Sequence, residues 1–150
     1  MYKHILIPTD GSKLSTQAVT TGLKFAKSVN AKVTCLFVLP HFRTMQQGDE
    51  GSRAKIDRLT ETLHKEEDEA YAGKVLAPVK KLANDQGVSC SLVHVTSNLP
   101  YQAIIDTAKK NRCDLILMAS HGRSGLKAVL LGSETTKVLT HAKIPVLVVR

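Results

Sequence analysis

Residues 113–149 read CDLILMASHGRSGLKAVLLGSETTKVLTHAKIPVLVV, and the hydrophobic pattern changes several times along them. Cys113–Ala119 is a continuous apolar run, as in a strand buried on both faces. A loop containing Gly122 and Gly125 follows. Ser133 to about His141 then reads as a short helix, with Gly132 at its opening, and Ile144–Val149 is a β-branched closing strand. Two strands joined through a helix pair in parallel, because the chain must cross back before it can run the same way again.

Toward the N-terminus the alternation repeats. Pro100 falls in the first turn of a helix that runs to about Asn111, with Ser97 or Asn98 as its cap and Ile104, Ile105 and Ala108 on its buried face. Val88–Val95 alternates apolar and polar, as a half-buried or edge strand does. Arg53–Gln86 is helical, with Ile56, Leu59 and Leu63 in front and Val75, Val79 and Leu82 behind. Pro78 cannot donate to the helix ladder, so a kink or break is expected near Lys74–Pro78. Pro40–Ser52 is polar and contains glycine, and reads as a long loop. Ala31–Leu39 is a nearly continuous strand. Ser12–Asn30 carries helical spacing at Ala18, Gly22, Phe25, Ala26 and Val29, and Lys3–Pro8 is a short apolar run.

Counted in order, this is βαβ, a long helix, then βαβαβ. The expected class is α/β: one domain over residues 1–150, built as a doubly wound, five-stranded parallel sheet with helices on both faces. Ligands in such sheets sit beyond the carboxyl ends of the strands, where the strand order reverses. The loops Pro8–Ser12 and Ser120–Ser133 should flank that crevice.

Composition narrows the function. Of 150 residues, 43% are apolar and 23% charged, which excludes a disordered or collagen-like chain. The longest apolar stretches, such as Leu115–Ala119 and Ile144–Val149, fall far short of the roughly 18 residues of a membrane helix. The opening MYKHILIPTDGS lacks the apolar core of a signal peptide, so a cytoplasmic protein is expected. Twenty-one basic against 13 acidic residues leave a net charge of +8, which favours anionic partners. The lack of a Lys/Arg run and the scarcity of aromatics argue against nucleic acid. Cys35, Cys90 and Cys113 have no CxxC spacing and read as small buried hydrophobes. His4, His41, His64, His94 and His141 have no metal-ligand spacing. The Lys65–Glu69 run is read as a solvated helix face.

Chemistry concentrates in the two loops. Gly122 and Gly125 allow close backbone approach, and the helix opening at Gly132–Ser133 offers free N–H groups to an anion. His121, Arg123 and Lys127 add positive or proton-donating groups, and the whole suits a di- or triphosphate. An ordinary glycine turn with a serine helix cap explains the same residues. Neither GxxxxGK[ST] nor GxGxxG after the first strand occurs. In the first loop, Asp10 is an acceptor for an adenine amino group or a ribose hydroxyl, a group that approaches a bound cation, or an ordinary turn or cap residue. Ser133, His121 and Asp10 or Asp114 supply the residue types of a hydrolytic triad, without the G-x-S-x-G elbow.

The chain resembles universal stress proteins along its whole length, from ILIPTDGS to DLILMASHGRSGLKAVLLGSETTKVL and KIPVLVV. The resemblance implies a Rossmann-like, adenine nucleotide alpha hydrolase-like sheet and a homodimer, often paired through the C-terminal strand, here Ile144–Val149. The family's nucleotide-binding branch carries G-x2-G-x9-G-[S/T]. Gly122, Gly132 and Ser133 fit it, and Ala119 stands at the first glycine. By resemblance, Pro8, Thr9, Asp10 and Ser12 meet the base and ribose, Val38 walls the adenine and Met118 lies against the nucleotide. Ala119, His121, Gly122, Arg123, Gly132, Ser133 and Glu134 complete the implied set around the phosphates. The expected function is a stress-linked, ATP-binding sensor or adaptor, taking Mg²⁺ with ATP and acting on an unidentified protein partner. Two other readings stand beside it: a dimeric signalling module that binds no nucleotide, as Ala119 would suggest, and a slow ATP-hydrolysing enzyme.

Overall fold

Strands and helices alternate in a computed structural model that describes residues 1–41, 50–123 and 130–150. In chain order they are β1 (His4–Thr9), α1 (Lys13–Val29), β2 (Lys32–Leu39), α2 (Glu50–Gln86), β3 (Cys90–Thr96), α3 (Pro100–Lys110), β4 (Leu115–Ala119), α4 (Ser133–His141) and β5 (Val146–Val149). The strands form one five-stranded sheet in the order β3-β2-β1-β4-β5. Every pair is parallel, with Ile5 beside Val33 on one side and Leu115 on the other. The order reverses between β1 and β4, as expected of a doubly wound sheet.

Side-chain alternation divides the core. Ile5, Ile7, Leu115 and Leu117 join Ala18, Val19 and Leu23 of α1 and Ala72, Leu76 and Val79 of α2. Leu6, Leu36, Ile116 and Met118 turn to the other face and meet Ile104 and Ala108 of α3 and Val138 of α4. The central strands therefore bury both faces, which is why their sequences are continuously apolar. Gly22 brings α1 close to the sheet: a Cβ there would stand 2.5 Å from Ile7 Cδ1 and 3.1 Å from Leu117 Cδ2. Cys35, Cys90 and Cys113 are all buried and free. His4 is buried with Nε2 2.8 Å from Thr34 Oγ1. Burial, aided by the Lys32 charge, pushes its pKa below the ordinary histidine value. No helix among the described residues is long and apolar enough to cross a membrane.

Several local expectations need correction. Pro78 does not break α2, which runs continuously over Glu50–Gln86. Pro78 and Lys74 are exposed, so water can satisfy the Lys74 carbonyl that proline leaves without an N–H. The helix also begins earlier than expected, so residues 50–52 are helical, while residues 42–49 of the expected loop lie outside the described residues. The N-cap of α3 is Leu99, with no side-chain bond from the cap residue. Ser97 Oγ instead accepts from the Leu99 N–H, and Asn98 Oδ1 accepts from the His41 N–H. In α4 the cap is Gly132, and Ser133 is the first helical residue rather than the cap. The outer strands are shorter than their apolar runs: β3 starts at Cys90 and β5 at Val146, just after Pro145, which has no N–H to donate.

Candidate functional site

β1 and β4 end side by side, and the loops leaving them are tied by one carboxylate. Asp10 Oδ1 accepts the Ser12 N–H at 2.9 Å, and Oδ2 accepts the Arg123 N–H at 2.9 Å. Burial pushes the Asp10 carboxyl up, but hydrogen bonds from Ser12, Ser15 and the Arg123 backbone outweigh it and leave the pKa below the usual value. Asp10 is therefore ionised at neutral pH. Gly122 is needed for this contact, because a Cβ there would come within 2.7 Å of Asp10 Oδ2. Gly11 turns the first loop at φ +78°, a conformation that disfavours side chains.

Beyond the strand ends lies a cavity of about 520 Å³, within the size range of small-molecule sites. Its apolar wall is Pro8, Leu36, Val38, Pro100, Ile104 and Met118. Its polar wall comes from Thr9, Asp10 and Ser15 on one side and from residues 121–123 and 132–135 on the other. The α4 N-terminus faces this space, with Ser133 exposed. Gly132 holds the turn by donating its N–H to the Ser120 carbonyl at 2.7 Å. A Cβ on Gly132 would sit 3.3 Å from both that oxygen and His121 Cα. Thr135 Oγ1 donates to the Ala119 carbonyl at 3.0 Å, pinning the first turn of α4 to the end of β4.

Of the residues singled out in the sequence, Pro8, Thr9, Asp10, Val38, Met118, Ala119, His121, Gly122, Arg123, Gly132, Ser133 and Glu134 all line this cavity. Ser12 is not among its lining residues: its hydroxyl caps α1, accepting from the Ser15 N–H at 3.2 Å. The Arg123 guanidinium reaches α2, where Nη2 lies 3.2 Å from Tyr71 Oη. Glu134 bridges two helices: Oε2 accepts the Tyr101 N–H of α3 at 2.9 Å and Oε1 meets Lys137 Nζ at 3.0 Å. Asp114 lies at the other end of the sheet, accepting the N–H groups of Lys3 and His4, so it cannot join Ser133 and His121. Gly125 and Lys127 fall outside the described residues.

Sequence reasoning missed Ser15, Leu36, Pro100, Ile104 and Thr135. Leu36 was within reach, since period-two alternation puts it on the same face as Val38. Pro100 and Ile104 carried a weaker signal, because every crossover in a parallel sheet begins at the same end.

The family model for universal stress proteins matches residues 1–150. The chain belongs to the universal stress protein family. It is 35% identical over 150 residues to universal stress protein MJ0531 of Methanocaldococcus jannaschii, covering 100% of this chain and 83% of that one. The solved structure of MJ0577, a universal stress protein of the same organism, superposes with a TM-score of 0.75 at 31% identity, covering 99% of this chain and 96% of that one. The universal stress protein from Archaeoglobus fulgidus in complex with dAMP shares the fold, with a TM-score of 0.69 at 16% identity and coverage of 99% and 98%.

Proposed function

We propose that the chain is a stress-linked sensor or adaptor that holds ATP in the cavity between the β1 and β4 loops. The observation that carries this reading is the division of one cavity into two chemistries. Leu36, Val38, Ile104 and Met118 form an apolar slot suited to a purine ring. Opposite them, the α4 N-terminus, the Ser133 hydroxyl and the bare backbone of Gly122 and Gly132 suit phosphates. The dAMP complex of a protein with this fold fits an adenine nucleotide.

Ala119 does not count against the reading. It ends β4 and is not in the positive-φ region that requires glycine. Its side chain packs in the cluster beneath α1, on the face opposite the apolar slot. Among the described residues no three His, Cys, Asp or Glu side chains gather as metal ligands. Mg²⁺ would enter with the phosphates, and Asp10 and Glu134 are the carboxylates that line the cavity.

The homodimer expected through residues 144–149 fits β5 as an edge strand, where Leu147 is 42% exposed. Pairing with its copy across a two-fold axis would cover the open edge. A cytoplasmic location and an unidentified protein partner complete the reading. A binder is preferred to an ATPase because Asp114 is held at the opposite end of the sheet and the Asp10 carboxylate serves as a backbone clamp between the two loops.

Thermal unfolding against ATP with Mg²⁺, with GTP and AMP as controls, tests the proposal. A ligand at a hundredfold excess over Kd adds about 2.7 kcal/mol. A saturable shift selective for ATP is expected. No shift at millimolar ATP, with no nucleotide extracted from the purified protein, would favour a nucleotide-free signalling module. A single-turnover assay that released ADP at a rate abolished by mutation of the loop would favour the ATPase.

A further inference from the structure

The two halves of α2 present different faces. At about 1.5 Å per residue its 37 residues span about 55 Å. From Ala72 onward it buries Ala72, Leu76, Val79 and Ala83 against the sheet. No described side chain between Lys55 and Tyr71 is buried. That outer half nonetheless holds Ile56, Leu59 and Leu63 at i, i+3 and i+7, exposed by 46%, 60% and 60%. At about 100° per residue this stripe points roughly 160° away from the face that the inner half buries. It cannot be a prolongation of the buried face, because it lies on nearly the opposite side of the helix.

We propose that this stripe is a self-association surface, pairing antiparallel with the same segment of a second copy. The charges beside it select both the occupant and the direction. Lys55, Thr62 and Glu69 are spaced by sevens and flank the stripe on one side. An antiparallel pair with its two-fold axis near Thr62 sets each Lys55 against the other copy's Glu69 and packs Leu59 against Leu63. A parallel pair in register would instead lay the acidic run Glu66, Glu67, Asp68 and Glu69 beside its own copy, which is repulsive. The N-terminal part of the segment balances Lys55 and Arg58 against Asp57 and Glu61, so the direction is set by the Lys55–Glu69 pairs and by repulsion within the acidic run at residues 66–69. This surface is separate from the cavity and from β5, which lies at the far edge of the sheet from β3.

Sedimentation equilibrium of the full chain tests the pairing. The double variant Leu59→Lys/Leu63→Lys, with unchanged helix content and Tm, should lose an association step that the native chain makes. Lys55→Glu should weaken that step about tenfold, and adding Glu69→Lys in the same chain should restore it. Under mild oxidation, a mixture of Lys55→Cys and Glu69→Cys chains should form the mixed disulfide, while Lys55→Cys alone should not cross-link. An unchanged mass distribution in the double lysine variant would overturn the proposal, since a different occupant would then cover the stripe. Efficient cross-linking of Lys55→Cys with itself would overturn the antiparallel arrangement.

Discussion

Asp10 and Asp114 close the two ends of one seam. At the amino ends of β1 and β4, Asp114 accepts the N–H groups of Lys3 at 2.8 Å and His4 at 3.0 Å. At the carboxyl ends, Asp10 accepts those of Ser12 and Arg123, both at 2.9 Å. In each, burial works against ionisation and hydrogen bonds outweigh it, from backbone N–H groups at Asp114 and from the Ser12 and Ser15 side chains as well as the backbone at Asp10, holding the carboxyl below its ordinary value. The chemistry is the same but the setting differs. Asp114 ties two strand starts that carry side chains, whereas Asp10 ties two loops where Gly11, Gly122 and Gly132 leave the backbone bare. A carboxylate clamp makes a rigid seam, and glycine beside it turns one end into a crevice.

The largest expected effect belongs to charge placed at the crevice end. Ser133→Asp sets a carboxylate at the phosphate side of the cavity while leaving an exposed first-turn position that tolerates acid. ATP affinity should fall on the order of a hundredfold by calorimetry, with stability within about 0.5 kcal/mol of native. Gly132→Asp should also abolish binding, but its Cβ would crowd the backbone of Ser120 and His121, so it tests the loop and the ligand together.

Removing each clamp in turn sharpens the comparison. Asp10→Ala strands two N–H groups in the partly buried crevice, at a cost of about 2–4 kcal/mol in urea unfolding, and should weaken ATP binding as the loops part. Asp114→Ala loses as many bonds, but from a carboxyl set less deeply than that of Asp10. Its cost should be about 0.5–1.5 kcal/mol, with ATP affinity unchanged. An equal loss of affinity in both variants would show that the seam acts as one body rather than as two ends.

Acid should expose both clamps. Because both carboxyls have folded pKa values below the unfolded value of 3.8, their stabilisation is complete above that value and is lost as pH falls through the folded values. His4 works in the same direction from a higher start. Its folded pKa lies below 6.5, so stability should begin to decline as pH drops below 6.5 and the unfolded chain takes up the proton first. Unfolding midpoints from about pH 2 to 8 should lose the upper part of this decline in His4→Gln and the lower part in Asp10→Asn. The smallest effect is expected for Ala119→Gly: ATP affinity within about twofold of native, and stability lower by roughly 0.5–1 kcal/mol from added backbone freedom in a strand.

Much of the crevice was legible because its signals are local. Continuous apolar runs marked β1 and β4, and glycine spacing marked the loop between β4 and α4. Pro78 misled only as to a break, because propensity records the lost hydrogen bond but not whether water can replace it. Ser133 misled at the cap because Gly132 took the extended conformation, φ −68° and ψ 158°, one residue earlier. Glu134 was expected against a nucleotide, and its carboxylate is engaged with the Tyr101 N–H, 33 residues away in the chain.

By itself, the sequence determined the alternation of strands and helices, the parallel sheet and the end of it that bears the crevice. Each follows from the period of apolar residues and from where glycine interrupts it. Only the tertiary structure decided that Asp10 would reach Arg123, that Leu36 and Ile104 would line one cavity, and that the outer half of α2 would turn its apolar stripe away from the face that the inner half buries. The physical reason is range. Periodicity is written in neighbouring residues, whereas a carboxylate's partner 113 positions away depends on the register of β1 against β4, which the packing of the whole sheet sets.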